Sequence, residues 1–436
     1  MFMKGFNHEQ VLRFARLELV RGEWRRYEQS LLSPGEYIYT DPNSTTFNVS
    51  AVNVEQNGNR FPVNYVVPPG ITREIDVAAA NLRQLNEQSL SLEVCGLRDG
   101  DARAAFKNVD FDVRQYQKLK MFVHCEARGV EADLKDDDVT LFIRLETDFE
   151  NNYYEYELPL KVTQWTESDP DLIWPEANNV EIIFEALRQA KIERNNLLAD
   201  PSQTAIAVNL PYTITDPQFP DRRITVRGNP NLQAIQTIMI GVRNPNKNGD
   251  HPYKPDDGLD KCVEVWANEM RLTDFNNSGG WATIGRVSLQ GADFMRLDVA
   301  GSHSTPNWGS IEKKVSERQQ ETISQFDMTT SFQLGKFFGD KAGIRLPFFF
   351  SYSVGLTTPR FDPLNPDIVA DDSWSALPDD VANERKSQSQ AFTQRKAFNF
   401  TNVGKNRAQG TKPKPWDISN LSFTYSYNEL FRRDIN

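Results

Sequence analysis

The stretch GIRLPFFFSYSVGL (343–356) decides how this chain is read. Ile344, Leu346, Phe348, Phe350, Tyr352, Val354 and Leu356 occupy alternate positions. Gly343, Arg345, Pro347, Ser351, Ser353 and Gly355 fill the others, with Phe349 the exception. Side chains along a strand point to opposite faces in turn. The spacing therefore predicts one long strand with a continuous apolar stripe and a small, polar reverse side. Such a stripe faces either a protein core or lipid.

The neighbouring sequence repeats the pattern. WATIGRVSLQ places Trp281, Thr283, Gly285, Val287 and Leu289 on one side, MRLDVAG places Met295, Leu297, Val299 and Gly301 together, and FDMTTSFQL does the same with Phe326, Met328, Phe332 and Leu334. RKAFNFTNV alternates less cleanly. In NLSFTYSYNELF, Leu421, Phe423, Tyr425 and Tyr427 lie opposite Ser422, Thr424 and Ser426. Runs of about ten residues are long for a globular domain but suit a tilted strand crossing a bilayer. Aromatic side chains outside, with serine, threonine and glycine inside, is the pattern of an outer-membrane barrel. On this reading Ser351, Ser353, Gly355, Ser422, Thr424 and Ser426 face an aqueous lumen. Long polar connections are expected at 302–325 and 357–394.

Upstream, the strands are shorter and bounded by turn residues. Residues 1–100 read as the C-terminal part of a β-sandwich, with strands at 11–20, 45–54 and 62–70 and a short helix within 74–89. Residues 101–275 read as a second, jelly-roll-like sandwich. In LKMFVHCEA, Leu119, Met121, Val123 and Cys125 share a side, as do Leu141, Ile143 and Leu145, and then Tyr154, Tyr156, Leu158 and Leu160. One helix, about 178–198, follows from Val180, Ile183, Phe184, Leu187 and Ala190 at helical spacing. The expected fold is all-β, with residues 276–436 forming strands of an incomplete transmembrane barrel.

Composition narrows the function. The 436 residues carry 49 Lys and Arg against 60 Asp and Glu, a formal charge of −11, which argues against nucleic acid as a partner. No run of about 18 apolar residues offers a transmembrane helix. Cys95, Cys125 and Cys262 lack CxxC spacing, so neither zinc nor a redox dithiol is suggested. Their disulfide state stays open, although Cys125 sits on the apolar side of its strand. His8, His124, His251 and His303 do not cluster, and His124 reads as a solvated strand residue. No hydrolase, phosphate-loop or dinucleotide motif occurs, so no enzyme, metal or cofactor is expected. Trp24, Trp266 and Trp281 suit core packing, or carbohydrate stacking if exposed. MFMKGFNHEQ has no apolar signal core, and the chain stops soon after a strand-like run, so an internal piece of a longer protein is expected.

Several runs resemble one family. They include FARLELVRGEWRRYEQ (14–29), PVNYVVPPGITREIDV (62–77), LRDGDARAAFKNVDFDVRQYQKLKMFVHCEA (97–127), DFENNYYEYELPL (148–160), EVWANEMRLTDFNNSGGWA (264–282), SHSTPNWGSIEKKVSER (302–318), LGKFFGDKAGIRLPFFFSYS (334–353) and TTPRFDPLNPDI (357–368). In order and density they are similar to the SprA/Sov family, the outer-membrane translocon of the Bacteroidetes type IX secretion system, which also serves gliding motility. The resemblance implies a very large single-chain barrel with soluble domains inserted between strands, exposed to periplasm or cell surface. It further implies folded cargo proteins bearing C-terminal sorting domains, a plug protein, a PorV-like barrel and outer-membrane lipid as partners. The alternative is a soluble cell-surface sandwich module binding polysaccharide or an adhesin.

Overall fold

The computed structural model describes residues 23–435 apart from 29–30, 32–44, 76–83, 130–133, 149, 200–201, 203–204, 250–256, 315–316, 376, 408–409, 411 and 413. The strand expected at 11–20 lies outside these residues.

The first part of the chain forms β1 (Arg25–Arg26), β2 (Thr46–Asn53), β3 (Gln88–Leu97), β4 (Ala102–Phe111), β5 (Tyr116–Ala127), β6 (Thr140–Glu146), β7 (Tyr153–Pro159), β8 (Val180–Ile183), β9 (Tyr212–Thr215), β10 (Arg223–Arg227), β11 (Ile235–Arg243) and β12 (Lys261–Phe275). They build two antiparallel sheets, β1-β4-β11-β6-β7-β10-β9 and β2-β3-β12-β5-β8. The alternation read from sequence explains how these meet. Leu141, Ile143, Tyr154, Tyr156, Ile238 and Ile240 from one sheet share a buried core with Leu92, Val94, Val123, Cys125, Val263 and Val265 from the other. On the outer face of the same sheet, Gly241 is required because a Cβ would stand 2.2 Å from the Phe142 ring, which packs there with Ala104 and Met239.

Residue 100 is not a boundary in this arrangement. β2 and β3 pair with each other, β3 pairs with β12, and β12 pairs with β5. Strands on both sides of residue 100 thus complete one pair of sheets, and the Cys95–Cys262 disulfide ties β3 to β12. Cys125 is a buried free thiol whose pKa burial pushes up.

Three local expectations need correction. The helix starts at Phe184 and runs to Ala199, because Val180–Ile183 is taken by β8 pairing with β5. Val180 and Ile182 point into the core from that strand, and a two-residue period over four residues reads equally well as helix. No strand forms at 62–70. The three prolines remove backbone donors, and the segment instead lies over β12, with Val63 and Tyr65 packed on Trp174 and Trp266. Of the expected helix within 74–89, the described residues show an isolated bridge between Ile75 and Gln84 and the start of β3.

That cover buries His124, which was expected to be solvated. Its ring stacks on Trp266 at 3.9 Å, and its Nδ1–H donates to the Ile173 carbonyl at 2.8 Å. Beside it Arg60 bridges Glu126 and Glu264, and Glu264 accepts from Ser91 and from the Trp266 indole.

The remaining strands are β13 (Ala282–Gly291), β14 (Met295–Ser304), β15 (Glu321–Gln333), β16 (Ile344–Arg345), β17 (Pro347–Pro359), β18 (Phe361–Asp362), β19 (Asn365–Val369), β20 (Ala391–Lys405) and β21 (Ser422–Arg433). A third antiparallel sheet runs β13-β14-β15-β17-β20-β21, with β16 pairing with the end of β20. It is open, since β13 and β21 do not pair with each other. The fold is therefore all-β, without a closed barrel.

Candidate functional site: a two-faced sheet

The third sheet carries the residues singled out from sequence. Its six long strands run from 10 residues in β13 and β14 to 15 in β20. Few of its residues are buried: all of β13 and β21 up to Arg432 is exposed, and every residue of β17 is half-buried. Among the described residues nothing covers the sheet on either side as the β3–β12 sheet covers β6 and β7.

Register assigns the faces, because directly opposed residues in an antiparallel pair share one. Phe350 lies between Thr330 and Phe398, and Phe398 lies opposite Tyr427. The stripe on β17 and the stripe on β21 are therefore one surface, joined through β20. One row crosses it as Leu289, Leu297, Thr330, Phe350, Phe398 and Tyr427. A second runs Val287, Val299, Met328, Tyr352, Lys396 and Glu429. Ring contacts bind neighbouring strands, with Phe348 and Phe400 centroids 4.9 Å apart and Phe398 stacked on Tyr427 at 5.1 Å. Trp281 stands at the end of this face against His303, 5.1 Å away, and is exposed.

The reverse face is polar. Ser351 lies between Thr329 and Ala397, and Ser353 between Asp327 and Arg395. Gly355 follows between Gln325 and Thr393, and Ser426 lies opposite Asn399. Ser422 and Thr424 continue it on β21. Asp298 accepts from Ser288 at 2.5 Å and from Arg296 at 2.9 Å. Ile284, Ile323, Phe349 and Leu430 are the large apolar intruders here.

Two features depart from the expected stripe. The 343–356 run is not one strand: the chain breaks at Leu346, so Ile344 sits on β16 against Lys405 while Phe348 onward follows β17. Gly335 permits this path, because its position lies against the Ile344 carbonyl, where a Cβ would be only 2.1 Å away. Lys396 and Glu429 also place a charge pair, 3.9 Å apart, on the apolar face beside the open edge of β21.

The connection at 357–394, expected to be a polar loop, is an ordered insert. β18 and β19 form a hairpin, followed by helices Ala370–Ser375 and Asp379–Gln388. It docks on the two-sheet body through a wholly buried cluster. Asp367 accepts from Lys191 at 2.8 Å and from the Tyr154 hydroxyl, and Lys191 also donates to the Pro230 carbonyl. Burial lowers the Lys191 pKa, against the opposing pull of Asp367. Arg114 donates to the Pro366 carbonyl at 3.1 Å and lies over the Phe361 ring. Sequence reading missed this joint. The signal was present as Lys191 and Arg194 on the same helix side as Leu187, which is where a core-facing helix carries apolar residues.

Of the tryptophans weighed for carbohydrate, Trp266 is buried in the aromatic cluster. Trp24 lines an open cleft between the ends of the two sheets, with Leu90, Met121, Ile240 and Met270. Among the described residues no group of three or more His, Cys, Asp or Glu is arranged to hold a metal, and no helix is long and apolar enough to cross a membrane.

The SprA_N family model, described as motility related/secretion protein, matches residues 1–373, and the chain belongs to that family. No curated protein matches it.

Proposed function

We propose that the third sheet is a section of the wall of an outer-membrane protein-conducting channel, through which folded cargo is exported in support of secretion and gliding. The two-sheet body is then a sandwich domain inserted ahead of the wall strands and held outside the bilayer. The carrying observation is the single-layer, two-faced sheet. A ten-residue strand rises about 33 Å, and at a tilt of about 45° it covers roughly the apolar band of such barrels. Phe348, Phe350, Tyr352, Val354, Leu356, Phe423, Tyr425 and Tyr427 would meet hydrocarbon; Ser351, Ser353, Gly355, Thr424 and Ser426 would line water. No bond is made or broken. Short hydroxylated side chains bind passing protein weakly, and partners that plug the pore or receive cargo would supply gating.

Membership of a motility and secretion family supports this reading, as does the Cys95–Cys262 disulfide, which suits an oxidising compartment such as the periplasm or cell surface. In hydrocarbon neither β13 nor β21 can keep an unpaired backbone edge, so the wall requires further strands on both sides. The test is fractionation of cells producing the native protein, combined with its depletion. Extraction only by detergent, with secreted proteins retained inside depleted cells, is the expected result. Release by salt or carbonate washing, with secretion intact, overturns it.

A further inference from the structure

The two ends of the third sheet differ in chemistry. Ala282, Ser304, Glu321 and Pro359 lie at one end, from which the chain leads back to the two-sheet body and where the docked insert begins. The connections at that end, 305–320 and 360–390, carry six Lys and Arg against nine Asp and Glu. At the other end the connections 292–294, 334–346 and 405–421 carry seven against three, in a chain whose net charge is −11.

Exposed aromatic surface sits at this same basic end. Phe294, Phe332, Leu334, Phe337, Phe348 and Phe400 line a shallow cup of about 410 Å³ made entirely of apolar side chains. Phe337 is 73% exposed and Trp416 79%. Lys336 is paired with Asp293, and Arg407 with Asp417. Lys341, Lys405 and Lys414 make no ion pair among the described residues. Unpaired ammonium groups beside large exposed aromatics match the boundary of a bilayer, where rings sit at the headgroup level and cations meet lipid phosphate.

Resting on the membrane reading above, we propose that this end of the sheet seats in a layer of anionic phospholipid headgroups. Lys341, Lys405 and Lys414 meet the phosphates, and the aromatic cup takes the upper part of an acyl chain. The acidic end, with the insert and the two-sheet body, faces the other side of the membrane. Anionic lipid is favoured over a protein partner because the apolar cup is continuous with the apolar face of the sheet through Phe332, Phe348 and Phe400.

The experiment reconstitutes the intact protein in nanodiscs of phosphatidylcholine with one-fifth phosphatidylglycerol, with bromine on the acyl chains of one lipid or the other. Trp416 emission is isolated by difference from Trp416→Phe. Brominated phosphatidylglycerol is expected to quench several-fold more, mole for mole, than brominated phosphatidylcholine. That excess is expected to vanish in the Lys341→Gln, Lys405→Gln, Lys414→Gln variant and to shrink at 0.5 M salt, where charges are screened over about 4 Å. Equal quenching by both lipids overturns the headgroup assignment while leaving the membrane reading intact. Absence of quenching by either lipid removes this end from the bilayer and overturns the proposal. Quenching of a Phe350→Trp probe reports separately on the membrane reading.

Discussion

Inserting a charge at adjacent positions of β17 separates the two faces of the sheet. Phe350 sits within the apolar row between Thr330 and Phe398, and Ser351 sits on the reverse face between Thr329 and Ala397. If the apolar face meets hydrocarbon, Phe350→Arg costs about 2–4 kcal/mol, because Phe350 lies three residues from the middle of β17 and the guanidinium must be drawn toward the interface. At 1.36 kcal/mol per tenfold, that is a roughly 30- to 900-fold loss in the folded-to-unfolded ratio. Ser351→Arg enters a face already holding Arg395, Asp327 and Thr329, and should cost less than about 1 kcal/mol. Phe350→Gln controls for the lost ring. Guanidinium unfolding of the intact protein in lipid vesicles reads the three variants directly. Equal shifts for the two arginine variants, or a larger one for Ser351→Arg, would refute the assignment of faces. To distinguish lipid from a covering protein layer, Phe350→Trp and Ser351→Trp are compared. The first should be quenched by brominated acyl chains and the second by aqueous iodide.

The other predictions concern the two-sheet body and its joint. Asp367→Ala leaves Lys191 buried without its carboxylate, and should cost about 3–5 kcal/mol and release the 360–390 insert to proteolysis; Asp367→Asn, which keeps the Tyr154 contact, should cost less. Glu146 is buried, neither of its carboxylate oxygens has a hydrogen-bond partner among the described residues, and burial raises its pKa to about 8 from 4.5. The folded state therefore holds this proton more tightly than the unfolded one. Its contribution is fully present below about pH 4.5 and is lost as pH rises toward 8, at up to about 1.4 kcal/mol per unit. Glu146→Gln should flatten that stretch of the stability–pH curve, and an unchanged slope would remove Glu146 as its source. Reducing Cys95–Cys262 opens a link spanning 167 residues and should lower stability by about 2–5 kcal/mol, read by thermal unfolding with and without reductant.

Much of this was legible where one face of a strand meets one kind of surroundings. The inward residues of β6, β7 and the first part of β5 alternate cleanly, as do the residues of β17 and β21, and the structure places each set on a single face. What escaped reading depends on a second covering layer. His124 and Glu126 look solvated because they lie opposite core residues on β5, yet the irregular 60–66 segment and Trp174 bury them. No local period announces such a cover. The union of β2 and β3 with later strands was equally hidden, since pairing between residues 88–97 and 261–267 depends on distant contacts rather than on either run alone. The Asp367–Lys191 joint joins residues 176 apart in sequence, and only its odd buried lysine hinted at it.

The joint and the Lys396–Glu429 pair bear on the proposed wall from opposite directions. A wall strand free to tilt independently of its inserted domain would need a solvated linker, whereas β17 leads within two residues into β18, and β19 is fastened to the body by a fully buried ion pair. Removing either partner of such a pair is costly, so the body and the β17–β20 hairpin should move as one unit. The charge pair marks where the present surface is incomplete. Lysine and glutamate at mid-height on a largely apolar face would be unfavourable in hydrocarbon, yet Glu429 lies on the edge strand β21 and Lys396 on β20 beside it, next to the edge that would require another strand if the sheet spans a membrane. Polar groups supplied by that strand would satisfy them. Replacing both by leucine distinguishes the cases: vesicle stability should rise by about 1–4 kcal/mol if the pair faces lipid, and should fall if a neighbouring strand's polar groups engage it.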